Sequence, residues 1–188
     1  MSSARNKRLV VSALMLALAL VLPYFTGGIP AIGNLLLPMH LPVLLCGFLC
    51  GGGWGAGVGL AAPLLRSLLA GRPEFFPTAF SMAFELAAYG LISGLLYRRL
   101  PKNAAGVYAS LAGAMVGGRM VWGAVRALIT LASPTPFGLA IFWTEAVLNA
   151  IPGIIVQLLL IPGVMVALNR TGLVRFRKRQ TAASPAER

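Results

Sequence analysis

The feature that most limits what this chain can fold into is a succession of apolar stretches, each close to the thickness of a bilayer. They run over Leu9 to Phe25, Leu35 to Cys50, Trp54 to Ala70, Pro77 to Tyr97, Val107 to Leu131 and Phe137 to Leu168. A hydrocarbon core of about 30 Å takes roughly 20 apolar residues of helix, so a chain of this length holds at most about six or seven crossings. Hydrophobic residues make up 58% of the sequence and charged ones 11%, which is too apolar for a water-soluble domain. The expected fold is all-α: a polytopic membrane protein with a six-transmembrane-helix bundle. Residues 1–170 form one transmembrane domain and 171–188 a basic cytoplasmic tail without fixed structure. The run from Leu9 follows Arg5, Lys7 and Arg8 but is long and lacks an A-x-A site, so it is expected to be a retained first helix. Pro38 and Pro42 interrupt the second stretch, and Gly51-Gly52-Gly53 joins it to the third as a tight hairpin.

The basic residues are distributed by side. Arg5, Lys7 and Arg8 precede the first stretch, Arg98, Arg99 and Lys102 follow the fourth, and Arg170, Arg175, Arg177, Lys178, Arg179 and Arg188 follow the sixth. With six crossings all of these share one face of the membrane. The loops 26–34, 71–76 and 132–136 on the other face contain only Arg72. The positive-inside rule then puts both termini in the cytoplasm, N-in and C-in. It also accounts for an excess of 16 Lys and Arg over 4 Asp and Glu without invoking nucleic acid.

Three basic residues, Arg66, Arg119 and Arg126, fall inside spans, as do Glu85 and Glu145. A charge at such depth is costly unless paired or hydrated, and marks a functional site by default. Odd helices run outward and even ones inward, so depth follows from position within a span. By this reckoning Arg66, His40, Glu85, Arg126, Glu145 and Asn149 lie in the outer half and Arg119 nearer the middle. Arg119, Trp122 and Arg126 share one face of the fifth helix, Glu85 and Tyr89 one face of the fourth, and Glu145 and Asn149 one face of the sixth. Three helices thus present polar or aromatic stripes at one level, which is how a bundle builds a small-molecule pocket. Two plainer readings stand beside it: Glu85 and Glu145 neutralise Arg119 and Arg126 as structural pairs, and Arg66 snorkels to the surface. Trp54 and Trp143 have the positions of interfacial anchors.

Covalent chemistry has no basis in this sequence. It has one His and no Asp, no H-E-x-x-H and no P-loop lysine, so no enzyme, metal site, cofactor or nucleotide hydrolysis is expected. Cys46 and Cys50 are expected to be packing residues. Small-x-x-x-small rows occur at Gly51, Gly55 and Gly59, at Gly113 and Gly117, and at Ala13 and Ala17. Such rows let helices approach closely in lipid.

The run Ala13-Leu14-Met15-Leu16-Ala17 resembles the A-x-x-x-A patch on the first helix of the substrate-binding S components of energy-coupling-factor (ECF) transporters. Leu37-Pro38-Met39-His40-Leu41-Pro42, followed by Gly47 to Gly51, is similar to that family's run into its short second-to-third turn. The likeness spans Lys7 to Leu168. It implies a multi-pass protein of a bacterial or archaeal plasma membrane that captures a water-soluble vitamin or related micronutrient from outside. It also implies ATP-driven import, with a membrane-embedded coupling subunit docked on the Ala13 and Ala17 face and two cytoplasmic ATPase subunits. The substrate site then comprises Glu85, Arg126, Arg119, Glu145, Asn149, Trp122, Tyr89 and His40. A stand-alone permease driven by an ion gradient through Glu85 and Glu145 is the alternative.

Overall fold

A computed structural model of the chain describes residues 2–25, 37–131, 142–144 and 148–170. Among the described residues all regular structure is helical, in six helices: α1 Ser2–Phe25, α2 His40–Cys50, α3 Gly52–Ala70, α4 Phe80–Arg99, α5 Ala104–Leu131 and α6 Ile151–Arg170. Four of them, α1, α4 with its preceding turn, α5 and α6, are long and apolar enough to cross a membrane. At 11 residues α2 is too short to cross unaided. Helix α3 is diluted by its glycines, Pro63 and Arg66.

Local chemistry explains where the helices begin. The second becomes helical at His40, just past Pro38, because a residue preceding proline disfavours the α conformation and Leu37 stands at φ 48°. Pro42 falls in the first turn of α2, where its missing N–H has no intrahelical partner to lose. Gly51 has φ 99°, a left-handed conformation open to glycine, and it turns α2 directly into α3 two residues before the expected Trp54. Ahead of α4, Phe75–Ala79 is a wide turn in which the Ala79 N–H reaches the Glu74 carbonyl at 2.8 Å. Asn103 caps α5, its Oδ1 accepting the Gly106 N–H at 2.8 Å, so this helix starts three residues earlier than expected.

The sixth stretch departs most from expectation. A single helix over Phe137 to Leu168 was the simplest reading, yet Asn149 and Ala150 form a turn and α6 begins at Ile151. Pro152 is the reason. Its ring clashes with the carbonyl four residues back and it has no N–H, so an α-helix cannot run through it undisturbed but starts readily around it.

Helix α4 is the hub, packed on α2, α3 and α5. Glycine sets its approach. A side chain on Gly90 would run into the Gly55 backbone, one on Gly94 into Gly52, and one on Gly59 into the Leu86 carbonyl, so α3 and α4 touch backbone to backbone. On the other side, Gly113 and Gly117 of α5 receive Leu96 and Ile92 of α4. Two of the small-residue rows therefore act at these interfaces, while Gly51 serves the turn. In lipid, packing of this kind replaces the hydrophobic effect as the adhesive between helices.

Helix α1 runs against α2 and beside α3. The Cys46 thiol donates to Ser12 Oγ at 3.5 Å, and the Cys50 thiol to the Arg8 carbonyl at 3.6 Å. Both cysteines are free and buried. Ala13 and Ala17 lie on the exposed face of α1 beside Leu14 and Leu18 and are not internal packing residues. These contacts bring the start of α1, the α2–α3 turn, the α4–α5 turn and the end of α6 to one end of the bundle. Arg5, Lys7, Arg8, Arg98, Arg99, Lys102 and Arg170 cluster there. The tail 171–188 lies outside the described residues.

Candidate functional site

At the other end, three helices converge on Glu85. His40 is the first residue of α2, Glu85 is near the start of α4, and Arg119 is on the outward-running part of α5. Arg119 Nη1 is 2.9 Å from Glu85 Oε1, and His40 Nε2 is 3.5 Å from the same oxygen. Tyr89, one turn along α4, stands edge-on to the His40 ring with centroids 5.0 Å apart at 88°. Glu85 and His40 are each 1% exposed, and the Arg119 side chain 14%.

This arrangement is costly and incompletely satisfied. Removing a carboxylate and a guanidinium from water costs several kcal/mol per ion, repaid only by good geometry and further hydrogen bonds. The Glu85–Arg119 contact is one of charge, because no N–H is aligned on Oε1 well enough to hydrogen-bond it. Arg119 Nε and Nη2 and both His40 nitrogens are buried with no hydrogen-bond partner among the described residues. Buried polar groups are nearly always hydrogen-bonded, so so many unmet donors at one point call for a water or a ligand. Their chemistry suits an anionic or acceptor-rich guest, to which Arg119 offers a planar fork of N–H donors.

Further along α5, Trp122 is buried and tilted on Phe142 at 6.2 Å, with the Arg126 guanidinium 5.9 Å from its ring. Arg126 is half-buried and sits beyond Trp122 as seen from Arg119. Glu145, expected to contribute to the same pocket, lies outside the described residues. Asn149 is exposed in the turn before α6, its N–H donating to the Thr144 carbonyl at 2.9 Å, and is not gathered with the cluster. The expected stripe on the sixth helix is therefore interrupted at Asn149, for the reason Pro152 supplies.

Arg66 makes a contact that the sequence did not announce. Its Nη1 donates to the Leu20 carbonyl at 2.9 Å and its guanidinium lies 4.8 Å from the Tyr24 ring, so it clips the end of α1 to α3. Gln157 escaped the sequence reading altogether. It is 1% exposed on α6, and neither its Oε1 nor its Nε2 has a partner among the described residues. A lone amide in the apolar run Ile154 to Ile161 was the available signal.

Helices long and apolar enough to cross a membrane, with a buried ion pair where three of the helices meet, define a multi-pass helical membrane protein. The particular family follows from the sequence: residues 7–165 match the model of the ECF transporter, substrate-specific component, and the chain belongs to that family. Comparisons with curated proteins and with solved structures returned no match.

Proposed function

We propose that this S component captures a water-soluble vitamin or related micronutrient at the His40, Glu85, Tyr89 and Arg119 cluster, with Trp122 and Arg126 extending the site along α5. The observation that carries the reading is the set of buried, unpartnered donors on Arg119 and His40 around an ion-paired Glu85. Glu145 and Asn149 belong to the same proposed site from the segment before α6. The guest carries a carboxylate or phosphate for the arginines and a flat or apolar part for Tyr89 and Trp122.

Six crossings, with both termini in the cytoplasm of a bacterial or archaeal cell, fit the gathering of the described basic residues at one end. In this scheme residues 1–170 are the membrane domain and 171–188 a cytoplasmic tail. Import is driven by two ATPases through a coupling subunit docked on Ala13 and Ala17, and the chain itself performs no catalysis. Changing Ala13 and Ala17 to Trp tests this directly: uptake by the assembled complex falls to background while the isolated subunit still binds. Parallel loss of binding and uptake overturns the docking role. Uptake that survives ATPase inactivation but collapses with the proton gradient favours a stand-alone permease instead.

A further inference from the structure

We propose that the groove between α5 and α6 at the basic end of the bundle is a binding site for one anionic phospholipid of the adjacent leaflet, with the acyl chain in the groove and the phosphate on Arg170. The groove is open on its outer side, has a volume of about 490 Å³ and lies at the end of the bundle away from the Glu85 cluster. It is lined by Tyr108 of α5 and by Leu159, Gly163, Val166 and Ala167 of α6, with Arg170 at the end of that helix. Nothing lies within 4 Å of where a side chain on Gly163 would begin, so the space above it is open.

Length and charge together select the occupant. At 1.5 Å per residue the wall from Leu159 to Arg170 is about 16 Å long, half of a hydrocarbon core of about 30 Å and so the depth of one leaflet. A lipid chain laid along it from the bilayer midplane brings its phosphate level with Arg170. Among the described residues no carboxylate pairs with this arginine. The other described basic residues outside the spans, except Arg72, cluster at the same end, where they raise the local concentration of anionic headgroups. A transmembrane helix of a partner would meet the same apolar walls, but it would not need a cation at the headgroup level.

Native mass spectrometry of the full chain, after incubation with phosphatidylglycerol, phosphatidylcholine or inorganic phosphate, tests the assignment. Wild type retains one phosphatidylglycerol at least about fivefold better than phosphatidylcholine, and inorganic phosphate gives no adduct. Arg170→Gln removes the preference between the two lipids. Gly163→Leu fills the groove without changing any charge, and it loses the retained lipid while its melting temperature in detergent stays at the wild-type value. The basic residues after 170 are present in both variants, so nonspecific attraction by the tail is controlled. Unchanged phosphatidylglycerol retention in Gly163→Leu overturns the proposal, as does equal retention of the two lipids by wild type. If Gly163→Leu keeps the lipid but no longer assembles with the coupling subunit, the groove belongs to a partner helix and the lipid assignment is wrong.

Discussion

Arg119 on α5 holds Glu85 on α4 at 2.9 Å in the bundle interior, while two of the three guanidinium nitrogens remain without an acceptor. A pair that served only to neutralise itself would be better replaced by apolar residues of similar volume, because burying ions costs more than their mutual attraction commonly returns. A pair with donors left over is poised to receive something.

That distinction is measurable. Glu85→Gln preserves shape and lowers affinity for the transported ligand by about tenfold or more. Glu85→Ala strands the Arg119 charge and costs about 3–5 kcal/mol of stability. Combining Glu85→Leu with Arg119→Met returns the melting temperature in detergent close to the wild-type value but leaves the protein unable to bind. If the apolar pair binds ligand as wild type does, the cluster is structural.

Gly90→Ala places a methyl group against the Gly55 backbone and costs about 1–3 kcal/mol, with α3 and α4 forced apart. Gly57→Ala on the open side of α3 meets nothing within 4 Å and leaves the melting temperature unchanged or slightly raised. Equal tolerance of the two substitutions in thermal unfolding would contradict the backbone contact.

Arg66→Gln removes the charged hydrogen bond to Leu20, worth about 1.5–3 kcal/mol, and exposes the end of α1. Hydrogen exchange at Tyr24 and Phe25 accelerates, and affinity for the ligand stays within about twofold of wild type. Loss of binding with unchanged exchange would return Arg66 to the substrate site.

How much of this was legible in the sequence depends on the kind of contact. Counting depth along alternating helices brought His40 and Glu85 to the outer half with Arg119 nearer the middle, and in the structure both His40 and Arg119 meet Glu85, because a helix advances by a fixed rise and its direction follows from the loops. Gly55, Gly59, Gly113 and Gly117 were legible as small-residue rows for the same reason of regular spacing. Arg66 was not. Its acceptor is a main-chain carbonyl on another helix, and every residue has a carbonyl, so no side-chain pattern announces the pairing. The turn at Asn149 was not legible from its period-four spacing to Glu145; Pro152 is the local signal that ends a helix there. Gln157 was passed over because one neutral amide hardly changes the hydropathy of its segment.

Topology has its own test. Glu74, exposed in the turn after α3, and Lys102, exposed in the turn after α4, lie at opposite ends of the bundle. Glu74→Cys reacts with an impermeant thiol reagent in intact cells and Lys102→Cys does so only after the membrane is opened. Cys46 and Cys50 are buried and give little background. The reverse labelling pattern would invert the bundle and move the Glu85 cluster to the cytoplasmic side.

The most direct measurement is a thermal-shift screen of the purified chain, with Glu85→Gln and Arg119→Gln beside it, against a panel of water-soluble vitamins and their phosphorylated or carboxylated precursors. A ligand at 100 times its Kd stabilises the folded state by about 2.7 kcal/mol, which is readily detected as a rise in melting temperature. One chemical class raises the wild-type value, and the rise disappears in both variants. A panel member that stabilises wild type and both variants equally, or a panel of which none stabilises wild type, contradicts the assignment of this cluster as the substrate site.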